Sequence, residues 1–226
     1  GREAISHFQA EYLVLDDGFQ HLRLARNLDI VTIDALNPFG YEHIVPRGML
    51  REPLESLKRA DMIMLTHVDQ CNQDKITVMI NRLRGIVGQI PIVETVHKLM
   101  CLESSKGGET MDVTWLQGKK VFAFCAIGNP ASFRKSIECL GGELLGFRVF
   151  PDHHVYTPSE LKALNAEAQR VRPDAIIVTQ KDKVKMKNGN MLWNFSLWTL
   201  KMEICIVKGC EVFENKINAM LNRKEK

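Results

Sequence analysis

Short apolar runs alternate with helical stretches along this chain. Tyr12–Leu15, Ile30–Ile33, Met62–Leu65, Ile92–Val96, Val121–Ala126, Leu144–Phe150 and Ala175–Thr179 are mostly apolar. Continuous apolar runs of this length predict strands covered on both faces, as in a parallel sheet. Between them, Lys75–Val87, Ala131–Leu140 and Pro158–Arg170 carry the helical period. The sequence Thr157-Pro158-Ser159-Glu160 is a strong helix start, with a threonine cap, proline in the first turn and an acid near the positive end of the dipole. The alternation predicts an α/β fold with a mostly parallel sheet flanked by helices and right-handed crossovers.

The pattern weakens over Leu99–Gln117, where Ser104-Ser105-Lys106-Gly107-Gly108-Glu109 reads as a turn or hairpin tip. A division into residues 1–117 and 118–226 is expected there. Phe213–Lys226 reads as a final amphipathic helix with a frayed basic end. The chain opens without methionine inside a helical pattern, Arg2–Ala10, and is expected to be the C-terminal portion of a longer protein.

Composition narrows the class. With 226 residues, 45% hydrophobic and 25% charged, the chain can bury a sizeable core as one large domain or two small ones. A net charge of +3, with bases interleaved among acids, gives no nucleic-acid footprint. The six cysteines form no C-x-x-C pair, which argues for reduced thiols in a cytoplasmic compartment rather than a disulfide frame or zinc site. No apolar run is long enough to span a bilayer as a helix.

Candidate chemistry concentrates at predicted strand ends. Leu13-Val14-Leu15-Asp16-Asp17-Gly18 delivers two adjacent acids to a glycine turn. Such a pair repels unless a cation compensates it, and phosphate-bound Mg²⁺ is one such cation; a plain Asp-Asp-Gly turn is the other reading. Asp34 ends a second strand, on the same edge if the strands are parallel; a plain strand-end turn former is the other reading. The long loop from Asn37 to Pro53 holds Arg47 and Arg51, suited to bidentate phosphate contact, and Glu52, a further metal ligand or simply a helix start. Asp16 and Glu52 are expected on one rim. Thr66-His67-Val68-Asp69 matches a guanine-reading N-K-x-D loop at only part of its positions. Ala126-Ile127-Gly128-Asn129-Pro130 joins a strand to a helix, where backbone amides and Asn129 can meet a ligand, or where the chain simply turns. In Phe150-Pro151-Asp152-His153-His154, a histidine oriented by a carboxylate suits proton transfer; a structural turn and a metal site are the alternatives. Lys181, after the Ala175–Thr179 run, reads as a phosphate contact or a surface turn.

In order, these blocks resemble the tetraacyldisaccharide 4′-kinase family, the lipid A kinases of Gram-negative bacteria. The matching stretches are D-D-G-F-Q-H at Asp16–His21, D-I-V-T-I-D-A at Asp29–Ala35, P-x-G-x-L-R-E-P at Pro46–Pro53 and R-A-D at Arg59–Asp61. They continue with A-I-G-N-P-x-x-F at Ala126–Phe133, F-P-D-H-H-x-Y at Phe150–Tyr156 and T-x-K-D at Thr179–Asp182. The resemblance implies a P-loop-kinase-like fold with a second, smaller α/β lobe. It implies transfer of the ATP γ-phosphate, with Mg²⁺, to the 4′-hydroxyl of a tetraacylated glucosamine disaccharide. It also implies peripheral work at the cytoplasmic face of the inner membrane. Asp16, Asp17 and Glu52 are then metal-site acids, with Asp17, Arg51 and Asn129 around the nucleotide. His153 matches the catalytic histidine, with Asp152 beside it. The family's phosphate loop, G-x-x-x-x-G-K-[ST], occurs nowhere in these residues, nor do its upstream Asp-Glu-Pro and membrane-proximal helix; Gln180 replaces a glutamate of T-E-K-D, and Ala126 a glycine of G-I-G-N-P. An incomplete kinase is therefore the expectation, and a non-catalytic module binding acyl sugar or protein the alternative.

Overall fold

The computed structural model describes residues 1–105, 107–186 and 193–222. Lys106 of the expected turn and residues 223–226 of the expected basic tail lie outside the described residues. Two compact units are present: Gly1–Val96 with Cys205–Lys226, and His97–Ile204. The sequence places a break near residue 117; in the structure the chain leaves the first unit after Val96 and returns to it at Cys205.

In the first unit, β1 (Ile30–Asp34) and β2 (Met62–Thr66) pair in parallel, and β2 pairs in parallel with the start of β3 (Ile92–Ser104). Helix α2 (Gln73–Val87) begins at Asn72, whose side chain accepts from Lys75 N at 2.9 Å. It turns Ile76, Met79, Leu83 and Val87 inward, the i, i+3, i+7 spacing of one helical face, onto Ile33, Ile63 and Leu65. It stops at Gly88, whose φ of 67° belongs to the left-handed region.

In the second unit, β5 (Lys120–Cys125) lies between β6 (Glu143–Val149) and β7 (Ala175–Thr179), parallel to both, and β7 pairs in parallel with β8 (Leu197–Lys208). The short β4 (Thr110–Met111) runs antiparallel to β3. Burial on both faces explains why β5 and β7 read as unbroken apolar runs. Val121, Ala123 and Cys125 pack with Phe133 and Ile137 of α3 (Pro130–Cys139), whereas Phe122 and Phe124 pack with Leu161 and Leu164 of α4 (Pro158–Val171). The remaining helices are α1 (Arg2–Phe8), α5 (Gln180–Lys185) and α6 (Cys210–Leu221). The mostly parallel, helix-flanked α/β fold expected from the sequence is the one observed.

Three expectations need correction. Tyr12–Leu15 forms no strand, and Val14 is 98% exposed. An apolar run becomes a strand only when a neighbour takes its backbone hydrogen bonds and covers its faces, and among the described residues β1 is laddered to β2 alone. Asp16 and Asp17 therefore follow an exposed irregular segment, not a buried strand. Second, β3 continues to Ser104, well beyond Val96. Third, β8 was not anticipated. Its first residues, Leu197–Leu200, are buried, and the rest mix half-buried and exposed positions. Each of these long strands changes environment part-way along, which blurs its period.

Candidate functional site

In the first unit, a hydrogen bond from His21 N to Gly18 O closes the turn after Asp17, and Asp17 itself takes a positive φ of 53°. Gly18 is buried beneath Leu15, which leaves no room for a Cβ. The turn is tied to the 51–59 segment at two points. Arg51 Nη1 donates to Asp17 Oδ2 at 2.5 Å, and the Arg59 guanidinium lies 4.5 Å from the centre of the Phe19 ring while donating to Glu52 Oε2 at 2.6 Å. The hydrogen bond to Asp17 raises the Arg51 pKa, and the hydrogen bond from Arg59 holds the Glu52 carboxyl below its ordinary range. Both pairs are at least partly exposed, so each contributes little to stability. Glu52-Pro53 leads into a 3₁₀ helix, Leu54–Arg59.

The structure thus brings Asp17, Arg51 and Glu52 into one patch beside Asp16, which is exposed and has no ion pair among the described residues. No three His, Cys, Asp or Glu side chains converge as an all-protein metal cage among the described residues. Elsewhere in this unit, Asp34 Oδ1 meets His67 Nδ1 at 3.0 Å, so the Thr66-His67-Val68-Asp69 block serves a local turn.

In the second unit, Asp152 Oδ1 accepts from His153 N at 2.9 Å, and its Oδ2 lies 3.7 Å from His153 Nε2. His153 holds a left-handed φ of 61°, a costly setting for a residue with a Cβ, and its side chain is 91% exposed. His154 goes elsewhere. Its ring stacks on Phe150 at 5.0 Å, and Nε2 meets Glu160 Oε2 at 3.1 Å. Glu160 closes a capping box with Thr157; hydrogen bonds from the Thr157 backbone and hydroxyl, then from His154, pull its carboxyl down to about 2. Asn129 Oδ1 accepts from Ser132 N at 3.1 Å, so the candidate nucleotide contact caps α3 here. Lys181 is exposed at the start of α5.

Sequence reasoning missed the residue beside it. Asp182 is fully buried, and its carboxylate accepts from Ala126 N at 2.9 Å, Tyr156 Oη at 2.9 Å and Thr179 Oγ1 at 2.5 Å. The A-I-G-N-P, F-P-D-H-H-x-Y and T-x-K-D blocks therefore meet at one carboxylate. The available signal was Thr179 followed by an acid three residues on, a helix-cap spacing. Burial beside Asp182 pushes the Tyr156 hydroxyl far up and the Cys125 thiol up to about 12, so both stay protonated at neutral pH.

A family model described as LpxK, tetraacyldisaccharide-1-P 4′-kinase, matches residues 1–222. The chain belongs to this family. A tetraacyldisaccharide 4′-kinase of Anaeromyxobacter sp. (strain K) is 35% identical over 221 residues, covering 97% of this chain and 58% of that protein. One from Syntrophus aciditrophicus is 39% identical over 192 residues, covering 82% of this chain and 51% of that protein. Among solved structures, the "apo" form of LpxK from Aquifex aeolicus in complex with ATP shares 25% identity at a TM-score of 0.68, over 96% of this chain and 60% of that one. This member of the family thus spans a little over half the length of the curated relatives it matches. Among its described residues no helix is long and apolar enough to cross a membrane.

Proposed function

We propose that the full-length protein is an ATP-dependent kinase that phosphorylates the 4′-hydroxyl of a tetraacylated glucosamine disaccharide. The observation that carries this reading is the family match across residues 1–222. Asp16, Asp17 and Glu52 would hold Mg²⁺ arriving with the nucleotide, because that ion needs only one or two carboxylates beside phosphates and water. Asp16 is exposed, so its carboxylate is accessible to such an ion. When bound, it neutralises charge developing on the transferred phosphoryl group. Arg51, now on Asp17, can exchange that carboxylate for a phosphate. His153, exposed beside Asp152, accepts the proton of the sugar hydroxyl. These 226 residues contain no G-x-x-x-x-G-K-[ST], and they span 58% of a curated relative's length, so we assign phosphate cradling to the part of the family's length that this chain does not span. The acylated substrate calls for peripheral work at a membrane surface, and we assign it to the cytoplasmic face of the inner membrane.

The test is transfer of radiolabelled γ-phosphate from ATP to the tetraacyl disaccharide by the full-length protein. Labelled lipid that disappears on chelation of Mg²⁺ supports the reading. Binding of the disaccharide without transfer would leave a non-catalytic acyl-sugar module in its place.

A further inference from the structure

A fully buried carboxylate is costly unless its oxygens are hydrogen-bonded, and an apolar replacement often does as well for stability alone. Asp182 carries that cost, with its partners drawn from separate segments of the second unit. Ala126 follows β5, Tyr156 follows the histidine pair, and Thr179 ends β7. Lys185 Nζ adds a second tie, donating to Ala126 O at 2.6 Å. Capping α5 requires only the Thr179 contact; the other bonds reach across the unit.

Those bonds end close to His153. Tyr156 is three residues beyond it, with its ring 5.5 Å from His154 and 5.2 Å from Phe150. Gly128 is two residues beyond Ala126. A Cβ built on it would stand 3.2 Å from Asp152 Oδ2, the oxygen that faces the His153 ring. The Ala126–Asn129 turn thus lies beside Asp152 at Gly128, and Asp152 is the neighbour of His153.

We infer that Asp182 is a positioning residue: through Tyr156 it fixes the loop that bears Asp152 and His153, and through Ala126 it fixes the turn beside Asp152. The inference rests on the proposed role of His153 as proton acceptor. Proton transfer requires the base within hydrogen-bond reach of the hydroxyl, and a displacement near 1 Å can cost about 10²-fold in rate.

The decisive variants are Tyr156→Phe, which removes one hydroxyl and keeps the ring packing, and Asp182→Asn, which keeps the shape. In the full-length kinase each should lower kcat by about 10- to 100-fold, leaving KM for ATP and the folded fraction by circular dichroism unchanged. In nitrogen–proton correlation spectra, the His153 ring signals should shift or double in Tyr156→Phe. Gly128→Ala, which crowds Asp152 without touching Asp182, should lower kcat in the same way. If His153→Ala lowers kcat while folded Tyr156→Phe keeps wild-type kcat and unmoved His153 signals, the positioning role is overturned alone. If losses in kcat only track loss of folded protein, Asp182 is structural and the inference fails. If His153→Ala itself leaves kcat intact, the underlying reading of His153 fails, and this inference with it. Should Asp182→Asn not fold, Tyr156→Phe decides.

Discussion

His153 and His154 leave adjacent backbone positions and go to different work. His153 is held by its backbone to Asp152 and points its ring into solvent, whereas His154 is packed on Phe150 and bonded to Glu160. In full-length protein, His153→Ala should lower kcat by about 10² to 10⁴, the usual worth of a positioned general base, and His154→Ala by much less. Steady-state kinetics of the two variants checks this, and equal, mild effects would remove His153 from catalysis. Glu160 supplies a pH prediction. Its carboxyl falls from the ordinary 4.5 to about 2 on folding. Its contribution is therefore fully present above the unfolded value and is lost as pH falls from about 4.5 through about 2. Urea midpoints of wild type and Glu160→Gln should differ at pH 6 and converge through that window. The proposed pair Asp152–His153 could be picked out in the sequence because residue type alone suggests such chemistry. The role of Asp182 was not, because it depends on burial and on partners that only the fold brings together.

At the scale of elements, α4 was readable down to its capping box, since a threonine, a proline and a glutamate at cap spacing act locally. Thr157→Ala should cost about 1 kcal/mol, read from chemical denaturation. The strands β2, β5 and β7 were readable because burial on both faces leaves an apolar run. Tyr12–Leu15 has the same composition but forms no strand, so composition misled there. The loop before Glu52 makes a further prediction. Met49 N donates to Gly40 O and Leu50 N to His43 O, and a Cβ on Gly48 would collide with the carbonyl oxygens of both Gly40 and His43. Backbone atoms cannot swing aside as a side chain can. Gly48→Ala should therefore open the 40–50 loop, seen as faster limited proteolysis within it; an unchanged cleavage pattern would show that the loop absorbs the methyl.

For the whole molecule, the sequence pattern led to the α/β class and the ordered blocks led to the family, but neither showed how the chain is shared between units. Cys205–Lys226 returns to the unit that holds Gly1–Val96, a long-range arrangement that local periodicity does not encode. Each unit holds one part of the proposed chemistry: the acids and arginines at Asp17, Arg51 and Glu52 in the first, Asp152 and His153 in the second. The measurement that bears most directly on the account is product analysis after full-length protein is incubated with ATP, Mg²⁺ and tetraacyl disaccharide. Phosphorus NMR should show a new phosphomonoester on the 4′-oxygen, formed mole for mole with ADP and about 10²- to 10⁴-fold more slowly by His153→Ala. ADP released without a phosphorylated lipid, or a phosphate on any other oxygen, would contradict the account.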